Sequence, residues 1–179
     1  MKIEKTFIND LIVLTPKVFE DSRGYFLESY NKKNLANIID VDFIQDNESL
    51  SQKNVMRGLH FQNPPYAQDK LVRVIRGAVL DVAVDLRKDQ PTYGKHFAIK
   101  LSAKNKKQLF IPKGFAHGFL TLKKNTIFSY KCSDYYHPET EECIHCFDED
   151  LAIDWKIKNV ILSKKDKNGI KFSTFNSPF

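Results

Sequence analysis

A mainly β chain, folded as a sandwich or barrel, is predicted by three features of the sequence. From Val55 to Cys146, β-branched and aromatic residues fall in short runs of strand length. Turn signals divide those runs at Asn63-Pro64-Pro65, Arg76-Gly77, Pro91-Thr92-Tyr93-Gly94 and Pro112-Lys113-Gly114. The 179 residues are 42% apolar and 12% aromatic, which opposes disorder. A chain of this length can bury about two-thirds of its unfolded surface in a core.

The elements follow in order. Apolar residues at Phe26, Tyr30, Leu35, Ile38 and Ile39 lie close to helical spacing, so Phe26 to Ile39 reads as a short helix or irregular turn. Lys70 to Val74, Val79 to Asp85, Gln108 to Ile111 and Thr126 to Tyr130 read as strands that pair antiparallel. Cys143-Ile144-His145-Cys146 reads as a strand with alternate residues pointing in and out. Asp148 to Trp155 suits a helical turn, and the tail from Ser163 is charged with little periodicity. Residues 1–179 contain no repeat or internal boundary and read as one domain, with an N-terminal segment over about 1–50 and a C-terminal tail over about 148–179.

Composition narrows the function. No run approaches the roughly 18 apolar residues of a membrane span, and Met1-Lys2-Ile3-Glu4-Lys5 lacks a secretory signal core. A cytoplasmic protein with no membrane partner is expected. The odd count of three cysteines points to free thiols. Cys143-x-x-Cys146 has no second ligand pair at zinc-finger spacing, so no metal is expected there. The net charge of +6 is spread over scattered lysines and short clusters such as Lys104-Asn105-Lys106-Lys107, without the long basic stripe a nucleic-acid partner would need. A positive surface also attracts a diphosphate-bearing small molecule.

The candidate chemistry centres on His60, in Arg57-Gly58-Leu59-His60-Phe61-Gln62, on Lys70, and on the run Ile111 to Phe119. An imidazole moves protons near neutrality, and an ammonium beside it can hold the negative charge such a transfer creates. From residue type alone, His117 is equally a satisfied core histidine, Lys70 a solvated strand lysine and Tyr130 a core aromatic.

Pro112-x-Gly114-x-x-His117 resembles the second motif of the cupin superfamily of double-stranded β-helix barrels. Many cupins hold a metal with a His-x-His pair in the first motif, but here His60-Phe61-Gln62 stands in its place, which disfavours a metal and frees His60 for proton transfer. Longer runs are more specific. Asp21 to Glu28, Gln45-Asp46-Asn47, Arg57 to Gln62, Gln68 to Val74, Asp81 to Arg87, Pro91 to Gly94, Ile111 to Phe119, Tyr130 to Tyr136 and Ser163 to Asp166 together resemble the dTDP-4-dehydrorhamnose 3,5-epimerase family, in order and over most of the chain.

That resemblance implies a mainly β, cupin-type jelly-roll barrel with short peripheral helices. It implies an isomerase that inverts C3 and C5 of dTDP-4-dehydro-6-deoxy-D-glucose to give dTDP-4-dehydro-L-rhamnose, with no metal or redox cofactor. In the roles it implies, His60 is the base, Asp166 orients the imidazole, Lys70 faces the sugar keto oxygen and Tyr130 is the acid on the opposite face. Arg57 would contact the diphosphate, Tyr136 would stack near thymine, Gln45 and Asn47 would make polar nucleotide contacts, and His117 would support the sugar. Arg23, Phe26 and Glu28 would reach the site of a neighbouring subunit, which implies a homodimer with exchanged N-terminal strands.

The chain departs from the family where Asp150 is followed by Leu151 and Trp155 by Lys156, positions at which the family carries prolines. Without those rings the loop that leads to Asp166 loses fixed φ angles. Three other readings are an epimerase acting at C3 only or C5 only, a metal-dependent cupin oxygenase using His60, His117 and Asp81, and a non-catalytic binding module.

Overall fold

Residues 1–157 and 159–179 are described by the computed structural model. Among them the strands are β1 (Lys2–Lys5), β2 (Ile12–Thr15), β3 (Val18–Asp21), β4 (Gly24–Leu27), β5 (Gln45–Ser51), β6 (Met56–Gln62), β7 (Lys70–Arg76), β8 (Ala78–Asp85), β9 (His96–Ser102), β10 (Gln108–Ile111), β11 (Phe115–Thr121), β12 (Thr126–Cys132) and β13 (Glu141–Cys143). Two short helices, α1 (Lys32–Leu35) and α2 (Lys164–Lys167), lie outside the sheets. A six-stranded sheet runs β1-β2-β10-β7-β12-β5 and a five-stranded sheet runs β13-β6-β11-β8-β9. Every pairing in them is antiparallel. The β3–β4 hairpin stands apart as a two-stranded sheet.

The expected jelly roll forms because both sheets have an apolar face to hide. Val13, Val72, Val74, Leu109 and Phe128 from the larger sheet meet Val79, Ala83, Leu101, Phe115 and Phe119 from the smaller one in a single buried cluster. Removing such side chains from water is the main favourable contribution to folding, about 1.5–3 kcal/mol for each fully buried large apolar residue. The outer faces are covered as well. Ile12, Leu14, Leu71 and Phe110 pack under Leu35 of α1 and Ile39. Met56, Leu59, Val82, Val84 and Leu120 pack under Leu151 and Trp155, with Phe172, Phe175 and Phe179 against them.

Turn chemistry sets the connections. Gly77 joins β7 to β8 at φ +86°, and a Cβ there would stand 2.2 Å from the Thr126 Oγ1, so glycine satisfies both the left-handed backbone and the close approach. Strand assignments from sequence hold over Gln108–Ile111 and extend slightly at β7, β8 and β12.

Three expectations need correction. Phe26 lies in β4, and the helix is confined to Lys32–Leu35, capped by Asn31, whose side chain accepts from the Asn34 N–H. Asp148 to Trp155 forms turns rather than a helix, with Ala152 at φ 46°. β13 ends at Cys143, and Cys143, Ile144 and Cys146 are all buried. The alternation pattern fails there because α2 and the tail cover what would have been the solvent side. The tail itself is ordered by aromatic packing: Phe175 meets Phe61 edge-on at 5.4 Å between centroids, a contact worth about 0.5–1.5 kcal/mol beyond its buried area.

Candidate active site

A cavity of about 420 Å³ opens between the two sheets, within the usual range for small-molecule sites. The five-stranded sheet contributes Arg57 and His60 from β6 and His117 from β11. The six-stranded sheet contributes Gln45 and Asn47 from β5, Lys70 from β7 and Tyr130 from β12. Tyr136 lines the rim.

Register explains why these residues converge. In an antiparallel pair, directly opposite residues share a face. Tyr130 is opposite Asn47, while Cys132 is opposite both Gln45 and Lys70, so strand alternation turns Gln45, Asn47, Lys70 and Tyr130 to the cavity side. On the other wall His60 is opposite His117 on one side and Cys143 on the other. The backbones of β6 and β11 touch here: a Cβ on Gly58 would lie 2.6 Å from the Gly118 Cα, and one on Gly118 would lie 2.7 Å from the Arg57 carbonyl oxygen. Two glycines are the condition for that approach.

Asp166 stands behind His60. Its Oδ1 lies 2.6 Å from His60 Nε2, its residue is 3% exposed, and its Oδ2 accepts from the Ser163 hydroxyl at 2.7 Å. Ser163 also caps α2 by accepting from the Asp166 N–H at 3.1 Å, so one serine fixes both the helix start and the carboxylate rotamer. Burial opposes the Asp166 charge, yet the hydrogen bonds from His60 and Ser163 hold its pKa below the usual carboxylate value. An ionised Asp166 accepts the Nε2 proton of neutral His60 and leaves the Nδ1 lone pair free.

Across the cavity, burial pulls the Lys70 ammonium down from its ordinary pKa, against the opposing influence of Cys132, Glu141 and Asp81. Burial pushes the Tyr130 phenol up to about 12, with Cys132 and Glu141 adding to the shift. Tyr130 therefore holds its proton through the neutral range. His117 lines the cavity, and its Nε2 lies 3.0 Å from the fully buried Asp81 carboxylate.

A polar chain links the rim to α2. Gln45 Nε2 donates to Asn47 Oδ1 at 3.1 Å, and Gln45 Oε1 accepts from the Tyr136 N–H at 3.1 Å. The Tyr136 hydroxyl donates to Glu141 at 2.8 Å, and Glu141 is ion-paired with Lys165, the neighbour of Asp166. Arg57 Nε donates to Ser51 Oγ at 3.1 Å, which steadies its guanidinium at the cavity wall.

Residues 5–174 match the family model described as dTDP-4-dehydrorhamnose 3,5-epimerase. The chain belongs to the dTDP-4-dehydrorhamnose 3,5-epimerase family. It is 49% identical over 174 residues to the dTDP-4-dehydrorhamnose 3,5-epimerase of Shigella flexneri, covering 96% of each chain. It is 52% identical over 170 residues to the enzyme of that name from Escherichia coli K12, covering 93% of this chain and 92% of the relative. A crystal structure of dTDP-6-deoxy-D-glucose-3,5-epimerase from Legionella pneumophila, in complex with dTDP-4-keto-L-rhamnose, superposes with a TM-score of 0.94 at 47% identity and covers 98% of this chain and 94% of that one. The barrel is thus the cupin-type fold of these epimerases.

Three residues that the family resemblance assigns to a site lie away from this cavity in the single chain. Arg23 is paired with Asp21 at 2.6 Å, Phe26 is 70% exposed, and Glu28 accepts from Asn31 and Asn34, each at 2.9 Å. All three border surface depressions at the β3–β4 hairpin and α1. The metal-centred alternative finds no ligand set in His60, His117 and Asp81. Among the described residues, the group of side chains close enough to hold an ion is instead His60, Cys143 and Asp166.

Glu141, Gln62, Phe119 and Phe128 also line the cavity, and no motif in the sequence singles them out. Phe128 was recoverable, because it shares the face of Tyr130 two positions away on β12. Glu141 carries no such signal, since its place depends on where β13 attaches to β6.

Proposed function

We propose that the protein is the epimerase that inverts C3 and C5 of dTDP-4-dehydro-6-deoxy-D-glucose, yielding dTDP-4-dehydro-L-rhamnose for deoxysugar biosynthesis. The observation that carries this reading is the division of groups between walls: His60 projects from one sheet, while Lys70 and Tyr130 project from the other. A sugar ring held between the sheets meets a base on one face and a phenol on the opposite face.

Both carbons flank the C4 ketone, so either proton is acidified by the same carbonyl. His60 takes the proton on Nδ1, and Asp166 stabilises the imidazolium that forms. The electron pair passes to the carbonyl oxygen, giving an enolate. Lys70 neutralises that oxygen, a contribution of about 3 kcal/mol by analogy with other oxyanion donors. Tyr130 then donates its proton to the opposite face of the carbon, which inverts the centre. Protons alone are exchanged, and the net oxidation state of the sugar does not change.

Arg57 is assigned to the diphosphate, Tyr136 to the thymine face, Gln45 and Asn47 to polar nucleotide contacts, and His117 to support of the sugar. We assign residues 1–179 to one catalytic unit and the exposed β3–β4 hairpin to a homodimer, in which Arg23, Phe26 and Glu28 complete the partner's site. The apolar exposure of Phe19, Tyr25 and Phe26 supports that assignment. No helix among the described residues is long and apolar enough to cross a membrane, and a cytoplasmic location is proposed on the same footing.

Incubation with dTDP-4-dehydro-6-deoxy-D-glucose in heavy water tests the function. Deuterium enters at C3 and C5, and His60→Ala abolishes the exchange. Label at one carbon only would replace this reading with a single-site epimerase, and no label from folded protein would overturn proton transfer.

A further inference from the structure

The wall behind His60 holds one donor that the epimerase reaction does not use. Cys143 on β13 stands opposite His60 on β6 in register, and its Sγ lies 3.9 Å from Asp166 Oδ1. One atom each from His60, Cys143 and Asp166 fall within 4.8 Å of one another. They come from three elements rather than one loop: β13 pairs with β6, and Ser163 at the start of α2 holds Asp166 in place. Cys143 is 6% exposed and Asp166 3% exposed, while the His60 side chain is 27% exposed and lines the cavity, which gives an ion a way in.

We propose that His60, Cys143 and Asp166 form a site for zinc that inhibits the enzyme. The donor set of one imidazole nitrogen, one thiolate and one carboxylate is a borderline-soft combination that suits Zn²⁺ better than Mg²⁺ or Ca²⁺. Bonds of about 2.0–2.3 Å to a tetrahedral zinc place ligand atoms about 3.3–3.7 Å apart. The His60 and Asp166 atoms therefore separate by roughly an ångström from their present hydrogen bond, and the sulfur closes on Asp166 Oδ1 by a few tenths. The fourth position is left to water on the cavity side.

Binding stands on the placement of these three groups, whereas inhibition rests on the role of His60 as base. Zinc takes the Nε2 lone pair, so the single proton of the neutral ring moves to Nδ1, and the thiol proton is released to solvent. The nitrogen that faced the substrate then carries a hydrogen and can accept none. Zinc comes to rest behind the ring, so the nucleotide can still occupy the cavity: turnover falls while nucleotide binding persists.

The test uses full-length enzyme. Co²⁺, a spectroscopic stand-in for Zn²⁺, gives a thiolate-to-metal absorption band with wild type and with Cys146→Ser, and no band with Cys143→Ser. Zn²⁺ lowers kcat of wild type without weakening dTDP binding. The half-inhibitory concentration for Cys143→Ser, whose uninhibited turnover is unchanged, rises by about tenfold or more, the loss that even an outer partner of a metal ligand causes. Absence of the band in wild type, its survival in Cys143→Ser, or equal inhibition of wild type and Cys143→Ser would overturn the site. The band without any loss of turnover would leave the ligands intact and overturn both inhibition and the assignment of His60 as base.

Discussion

Asp166 accepts from His60 at 2.6 Å although the two lie 106 residues apart. The imidazole is thereby held in one tautomer and one orientation, and the carboxylate is ready to balance the imidazolium. Asp166→Asn keeps the size of the side chain but removes the charge. Its kcat is expected to fall by about 10²–10⁴-fold, with little change in dTDP affinity. Steady-state kinetics beside equilibrium binding of dTDP would separate the two, and a variant with wild-type kcat would remove Asp166 from the mechanism.

The same pair predicts a pH dependence of stability. The pKa of Asp166 in the folded protein lies below its ordinary value, so the native state favours the charged form. Its contribution is fully present above the unfolded carboxylate pKa of about 4 and disappears as pH falls through the lower folded value. Urea unfolding of wild type and Asp166→Asn should therefore show a gap at neutral pH that narrows below about pH 4. A gap that widened in acid would contradict the direction of the shift.

Tyr130→Phe should uncouple exchange from inversion. With His60 and Lys70 intact, the enolate still forms and can recover a proton on the face it left. Solvent deuterium enters the substrate while product falls by about 10²-fold or more, a pattern that mass spectrometry and product assay resolve in one reaction. Inversion at the wild-type rate would assign the acid to another group.

Lys70→Met preserves length and removes the charge from a half-buried site. The expected loss is about 10²–10³-fold in kcat, as for one oxyanion donor, with unchanged KM. Raising KM alone would identify Lys70 as a binding residue rather than a stabiliser of the enolate.

Trp155 is 2% exposed and donates from Nε1 to the Cys146 carbonyl at 2.7 Å. Trp155→Ala removes that bond and opens a cavity under the loop, so unfolding free energy should drop by about 3–5 kcal/mol. Denaturant titration measures it directly. A loss under about 1 kcal/mol would show that the loop contributes little to holding the tail.

What could be read from sequence is what local chemistry determines. Gln108 to Ile111 is a strand because its four residues are apolar or fit a pleated face, and Gly77 marks a turn because its backbone needs φ above zero. The position of Asp166 obeys no such local rule. It depends on Ser163 at the helix cap, on Phe172, Phe175 and Phe179 packing against the outer sheet face, and on a loop without the family's prolines. Arg23, Phe26 and Glu28 show another limit: their assigned role needs a second chain, which neither the periodicity of one sequence nor the surface of one protomer supplies.

The two histidines sit side by side on touching strands, and each engages its own carboxylate, Asp166 for His60 and Asp81 for His117. Tyr130, by contrast, is carried on the facing sheet. The distance between base and acid is therefore calibrated by the thickness of the sandwich, and residues such as Val74 and Val79 act as shims. A methyl group gained or lost in that layer reaches the chemistry as a change of gauge, without altering any group that meets the substrate.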